Sequence, residues 1–168
     1  MEDLIIRQAQ PGDAAGIVEF FDRIGGESDN LSFGAEGLGI TPESEAVFID
    51  RISSDVHSAF FIAVRNGKVI GNVTLNGLPR RMSHRAELSI VVAKSEWGKG
   101  VGSLLMEKAV SYAAENGIKL INLEVRSDNE RAIRLYEKYG FLKTGFSPAC
   151  FMIDGKYYDA DIMVLDLR

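Results

Sequence analysis

The apolar positions of this chain change their period from two to about three and a half and back, which reads as strands alternating with helices. Leu4-Ile5-Ile6 predicts a short first strand. After Pro11-Gly12-Asp13, the residues Ala14, Ile17, Val18, Phe21 and Ile24 recur at three- and four-residue spacing, an amphipathic helix that Gly25-Gly26 ends. From Glu27 to Ile40, with Gly34, Gly37 and Gly39, the pattern dissolves into the longest loop-like stretch. Thr41-Pro42 starts a second helix: Thr41 is an N-cap, Pro42 suits the first helical position, and Glu43 and Glu45 suit the positive end of the dipole. Phe48, Ile49, Ile52 and Val56 form its expected buried stripe.

Ala59 to Arg65 and Lys68 to Leu78 are β-rich runs joined by Asn66-Gly67, the pair favoured in a type I′ turn, so they predict a hairpin. The nearly continuous apolar run Ala86 to Val92 predicts a strand buried on both faces, with Glu87 its one anomaly. A helix follows from Val101 to Glu115, closed by Asn116-Gly117, and then a strand from Leu120 to Val125. Strand, helix and strand in this order imply a right-handed crossover with the two strands parallel. A further helix over Glu130 to Tyr139 stops at Gly140, and Phe141 to Leu167 predicts a final hairpin turning at Asp154-Gly155. The expected architecture is α/β: one mixed sheet with helices on both faces.

At 168 residues the expectation is a single domain spanning 1–168. Hydrophobic residues at 46% and charged residues at 26% are those of a chain that folds around its own core. The start, Met1-Glu2-Asp3-Leu4, lacks the features of a secretory leader, and no apolar run would span a bilayer, which predicts a cytoplasmic protein without membrane partners. Cys150 is the sole cysteine and His57 and His84 are the only histidines, so neither a disulfide within the chain nor a Cys/His zinc site is expected, and no metal. A net charge of -5 disfavours nucleic acid. Arg80, Arg81, His84 and Arg85 are the local basic exception, read as a solvated loop or a contact to a ligand phosphate.

Trp97-Gly98-Lys99-Gly100-Val101-Gly102 lies between a strand and a helix start. Alternating glycines there let the backbone approach a ligand and turn N–H groups toward an anion, and the helix dipole adds to this. A P-loop would need GxxxxGK[ST], and the dinucleotide fingerprint would need a glycine at Ser103; only Glu124, imitating its ribose-binding acid, keeps an oxidoreductase alternative open.

Two blocks, A-E-L-S-I-V-V followed by W-G-K-G-V-G-S-L-L, and N-E-R-A-I-R-L-Y-E-K-Y-G-F from Asn129 to Phe141, resemble the GNAT superfamily of acetyl-coenzyme A dependent N-acetyltransferases. The element order matches over about the whole chain, and residue-level similarity runs from Glu87 to Phe146. The resemblance implies a central, mostly antiparallel mixed sheet with helices on both faces and a parallel βαβ crossover holding the cofactor loop. Of the motif [Q/R]-x-x-G-x-[G/A], the chain keeps Gly100 and Gly102 but has Trp97 at the polar position. It further implies that Ile90, Val91 and Val92 would pair with the pantetheine arm as an added strand. Gly98, Lys99, Gly100, Val101, Gly102 and Ser103 would hold the pyrophosphate, and Asn129 and Arg131 would flank the distal arm.

Acetyl transfer from a thioester needs a neutral amine, a donor at the developing oxyanion and a proton for the departing thiolate. An alkyl amine has a pKa of about 10.4, so a base or a site selective for the free amine is required. The resemblance implies Glu87 as that base, acting through water with its pKa raised by burial, and Tyr136 as donor to the sulfur. The oxyanion donor would be a main-chain N–H near Val91 or Val92. The alternatives are a solvated carboxylate and a core tyrosine. Ile133, Leu135, Tyr139 and Phe141 are expected in the core, Trp97 as packing, and Cys150 as a small buried hydrophobe rather than a nucleophile.

The acidic segment with Glu36, Glu43 and Glu45 would attract a cationic amine. A small-molecule amine, including polyamines, is the first acceptor class, and a protein N-terminus or lysine the second. A non-catalytic acyl-coenzyme A binding module is the alternative of another kind. A homodimer through the terminal hairpin is the expected assembly, if any.

Overall fold

The computed structural model describes residues 3–168; Met1 and Glu2, the first residues of the stretch read above for a leader, lie outside it. Seven strands form one sheet: β1 (Leu4–Gln8), β2 (Ala59–Arg65), β3 (Lys68–Gly77), β4 (Arg85–Val92), β5 (Leu120–Arg126), β6 (Leu142–Ile153) and β7 (Lys156–Asp166). Their spatial order is β1-β2-β3-β4-β5-β7-β6, and every neighbouring pair is antiparallel except β4 and β5. Four α-helices accompany them: α1 (Ala14–Ile24), α2 (Pro42–Ser53), α3 (Val101–Glu115) and α4 (Glu130–Lys138). No helix among the described residues is long and apolar enough to cross a membrane.

The helices divide the core in two. On one face, Ile17, Phe20 and Ile24 of α1 and Ile49 and Ile52 of α2 bury against Phe60 and Ile62 of β2. On the other, Val101, Leu105, Met106 and Ala109 of α3 meet Val73, Leu75, Ala86 and Leu88, and Tyr136 and Phe141 join them. Two tight turns form as their sequences require: Asn66 and Gly67 have φ of 51° and 74°, Asp154 and Gly155 φ of 52° and 76°, the positive pair that a type I′ turn needs. Thr41 accepts from the Ser44 amide at 3.1 Å and closes a capping box, which starts α2 where Thr41-Pro42 predicts.

Three expectations need correction. Strand β4 is not buried on both faces: Ala86 and Leu88 are buried while Glu87 and Ser89 are exposed, because α1 and α2 do not reach that end of the sheet. Val56 lies past the end of α2 and is exposed, since the helix stops at Ser53 and its stripe ends with Ile52. Cys150 is only partly buried, on the edge strand β6, which has no strand beyond it. Of the two readings of the Arg80 to Arg85 segment, the solvated loop holds: Arg80, Arg81 and His84 are exposed, and none of its arginines lines the cleft described next.

Candidate active site

Strands β4 and β5 are paired over only three positions, Arg85↔Leu120, Ala86↔Ile121 and Glu87↔Asn122. Beyond them the two strands separate, and the gap opens a cleft of about 840 Å³. The cleft is walled by β4, the loop before α3, β5, the first turns of α4 and the α1–α2 loop, with Phe151 of β6 at one side. Splaying leaves the β5-facing backbone edge of β4 without a strand partner. Ala93 N–H donates to Ile70 O on β3 at 2.9 Å, so by the alternation of a strand Val91 also faces β3, while Ile90 and Val92 turn their polar groups to the open side. Of the two positions expected to supply an oxyanion donor, Val92 is therefore the one whose N–H faces the cleft.

The loop from Glu96 to Gly100 makes its turn with φ of 76° at Gly98 and 84° at Gly100, conformations that side chains resist. A Cβ at Gly102 would stand 3.3 Å from Leu135 and 3.9 Å from Val92, so this glycine lets α3, α4 and β4 converge. The N–H groups of Gly98, Gly100, Val101, Gly102 and Ser103 donate to no acceptor among the described residues, and no side chain caps α3. Five free donors at a helix N-terminus form an anion cradle. The cradle is braced from α4: Tyr139 donates its hydroxyl hydrogen to Ser103 O at 2.7 Å, and Lys138 Nζ donates to Ser103 Oγ at 3.2 Å.

The predicted site residues converge. Glu87, Ile90, Val91, Val92, Gly98, Gly100, Val101, Gly102, Ser103, Asn129, Arg131 and Tyr136 all line the cleft. Lys99 does not; its ammonium lies 3.8 Å from Glu96. Asn129 has a second task as the N-cap of α4, its Oδ1 accepting from Ala132 N at 3.3 Å. Tyr136 is 7% exposed, and burial pushes its phenol up to about 12 while the Arg131 charge pulls weakly the other way. Glu87 is exposed within the cleft, so the burial expected to act on it is missing.

Other cleft residues make contacts that the sequence reading does not assign to them. Trp97 lines the cleft; its Nε1–H donates to Val92 O at 3.0 Å and its ring carries the Arg131 guanidinium 3.4 Å from its centre. Glu124 projects from β5, two residues beyond the partner of Glu87, and accepts from the Cys150 thiol at 3.4 Å. Partial desolvation, and then that hydrogen bond, raise the thiol pKa. Arg126 is committed: it donates twice to Asp128, at 2.9 and 2.7 Å, and once to Asp29 O at 2.9 Å, tying the α1–α2 loop to β5. Glu36 and Glu43 are exposed outside the cleft, and Glu45 is buried in α2 with its pKa raised by desolvation, so the acidic segment from 29 to 45 does not furnish the cleft's negative charge. The period-two placement of Glu124 on β5 was the available signal.

Residues 30–141 match the family model described as the Acetyltransferase (GNAT) family. The L-amino acid N-acetyltransferase AaaT of Escherichia coli is 30% identical over 129 residues, 75% of this chain and 79% of that protein. The spermidine N(1)-acetyltransferase of Vibrio cholerae is 30% identical over 125 residues, 73% of this chain and 71% of that one. The crystal structure of a GNAT-family acetyltransferase from Streptococcus pneumoniae superposes with a TM-score of 0.95 at 34% identity, covering 98% of this chain and 99% of the other. A splayed β4–β5 pair above a glycine cradle, a match to the family model over that same region and these relatives together mean that the chain belongs to the GNAT family of acetyltransferases.

Proposed function

We propose that the enzyme transfers acetyl from acetyl-coenzyme A to a primary amine of a small polycationic molecule, of the diamine or polyamine class. The observation that carries the acceptor class is the charge of the cleft beyond the cradle. Glu87 and Glu124 share one face there: Glu124 lies about 6.6 Å of strand rise past Asn122, the residue paired with Glu87. Of the cleft's two guanidiniums, Arg126 is held by Asp128 and Asp29, and Arg131 is stacked on Trp97 beside the cradle, with its donors left for the phosphates of the cofactor. An α-amino acid would leave its carboxylate facing these acids without a cation, a repulsive and specificity-setting arrangement. A diamine offers one amine to Glu87 and a second, charged, to Glu124. The Arg126–Asp29 tie roofs the cleft with the α1–α2 loop, which suits a small acceptor better than a folded protein segment.

The cleft fits acetyl-coenzyme A: the five free N–H groups suit a pyrophosphate, and the open edge of Ile90 and Val92 suits an amide-bearing arm. Bound there, it supplies an acetyl group activated as a thioester. Glu87, through water or directly, takes the proton that the ammonium must lose. The Val92 N–H faces the place where carbonyl charge develops. Tyr136, held neutral by burial, donates to the sulfur as it becomes a thiolate.

The test is an acceptor panel of a diamine, spermidine, an α-amino acid and a short peptide, followed by release of free thiol. Turnover of the diamine and spermidine is expected to dominate, and Glu124→Gln should raise their KM several-fold with kcat little changed. Preference for the amino acid or the peptide, or an unchanged KM in Glu124→Gln, would refute the acceptor class.

A further inference from the structure

Where the family pattern has a polar side chain this protein has Trp97, and its surroundings suggest what the tryptophan does. The indole is fixed at both ends. Its Nε1–H donates to the carbonyl of Val92, at the last residue of β4, and its backbone leads directly into Gly98, the first free N–H of the cradle. On its face lies Arg131 from the opposite wall of the cleft, with the guanidinium carbon 3.4 Å from the ring centre. Lys94 approaches the same ring at 5.9 Å.

Arg131 has no hydrogen bond and no ion pair among the described residues. This separates it from Arg7, Arg126, Arg134 and Arg168, each of which holds a carboxylate. A guanidinium has five donors in its plane. Stacking occupies only the faces of that plane, so the donors on its rim stay open to a ligand while the ring limits how far the side chain can swing.

We infer that Trp97 is a positioning residue that holds Arg131 flat at the rim of the cradle, where the guanidinium supplies the side-chain charge for the phosphates of the bound acyl-coenzyme A. The anionic end of the ligand is thus gripped from two walls, by main-chain N–H groups of the α3 loop and by the fork of Arg131 from α4. The stack replaces a single polar side chain of the loop with a pair, one member in each wall. This inference rests on the reading that the cleft binds acetyl-coenzyme A.

The experiment uses the full chain and measures dissociation constants by calorimetry for acetyl-coenzyme A, its 3′-dephospho form and S-acetylpantetheine, which has no phosphate. Binding of acetyl-coenzyme A by the unaltered protein tests the underlying reading; comparison among variants tests the inference. Arg131→Gln should weaken acetyl-coenzyme A about tenfold or more, the loss of a charge-assisted contact, and leave S-acetylpantetheine unaffected. If the 3′-dephospho form shows the same loss, the pyrophosphate is the partner; if its loss disappears, the 3′-phosphate is. Trp97→Phe, which keeps a flat ring, should bind nearly as the parent does. Trp97→Leu should reproduce much of the Arg131→Gln loss, and the double variant should be no worse than Arg131→Gln alone. Equal losses for all three ligands in Arg131→Gln, no loss for any, or additive effects of Trp97→Leu and Arg131→Gln would overturn the inference. Thermal melts that stay within a few degrees of the parent keep these comparisons free of unfolding.

Discussion

Replacing Tyr136 with phenylalanine separates chemistry from binding, and the structure sets the size of the effect. The hydroxyl has no hydrogen-bond partner among the described residues, and the ring packs on Phe141 with centroids 5.8 Å apart, so the variant keeps the packing and loses no internal hydrogen bond. Stability should move by less than about 1 kcal/mol. With its pKa at about 12, the phenol is neutral throughout the working range. A thiol is a stronger acid than this buried phenol, so complete proton transfer from Tyr136 to a relaxed thiolate would run uphill. The proposed mechanism therefore needs Tyr136 chiefly as a hydrogen-bond donor to sulfur whose charge is still developing. A bond to a charged acceptor contributes about 1.5–3 kcal/mol, which predicts a fall in kcat of roughly ten- to 150-fold, short of the loss of a full proton donor. Thiol release gives kcat, and calorimetry gives the dissociation constant of acetyl-coenzyme A, which should stay within about twofold. Equal losses in kcat and affinity would make Tyr136 a structural residue, and an unchanged kcat would remove it from the mechanism.

The same burial sets an alkaline limit: above about pH 10 the unfolded chain ionises this tyrosine while the folded one does not, so stability should fall by up to about 1.4 kcal/mol per pH unit until about pH 12, and Tyr136→Phe should flatten that slope in denaturant titrations. Gly100→Ala places a Cβ at φ of 84° and should lower stability by about 1–2 kcal/mol, with a larger loss of acetyl-coenzyme A affinity than of stability because the free N–H groups around it shift; unaltered affinity would argue against the cradle. Thr41→Ala removes the cap of α2 and should cost about 1 kcal/mol in urea denaturation without changing turnover. The Asp13 carboxyl is held below its ordinary range by its hydrogen bonds to Arg7 at 2.8 Å, so its contribution is present above about pH 4 and lost as pH falls through the lowered pKa; Arg7→Met should shrink that acid loss.

Local chemistry made much of this protein legible from its sequence. Asn66-Gly67 and Asp154-Gly155 can form few other turns, Thr41-Pro42 starts a helix by satisfying its own amides, and the spacing of Ile17, Phe21 and Ile24 leaves α1 one face to bury. The glycines of the cradle and the motif around Tyr136 announced the family for the same reason: backbone geometry and short-range spacing are properties of neighbouring residues. Tertiary structure decided what depends on residues far apart in the chain. Glu87 is exposed because α1 and α2 stop short of it, which no alternation within β4 reveals. Glu124 comes to share a cleft face with Glu87 only through the pairing of Glu87 with Asn122, and Glu45 is kept out of the cleft by burial in α2. Trp97 and Arg131, 34 positions apart, meet because β4 and β5 part company and bring the α3 loop and the start of α4 to opposite walls of one cleft. The sequence specifies each wall by itself; the distance between the walls is set by packing, and the chemistry of the cleft follows from that distance.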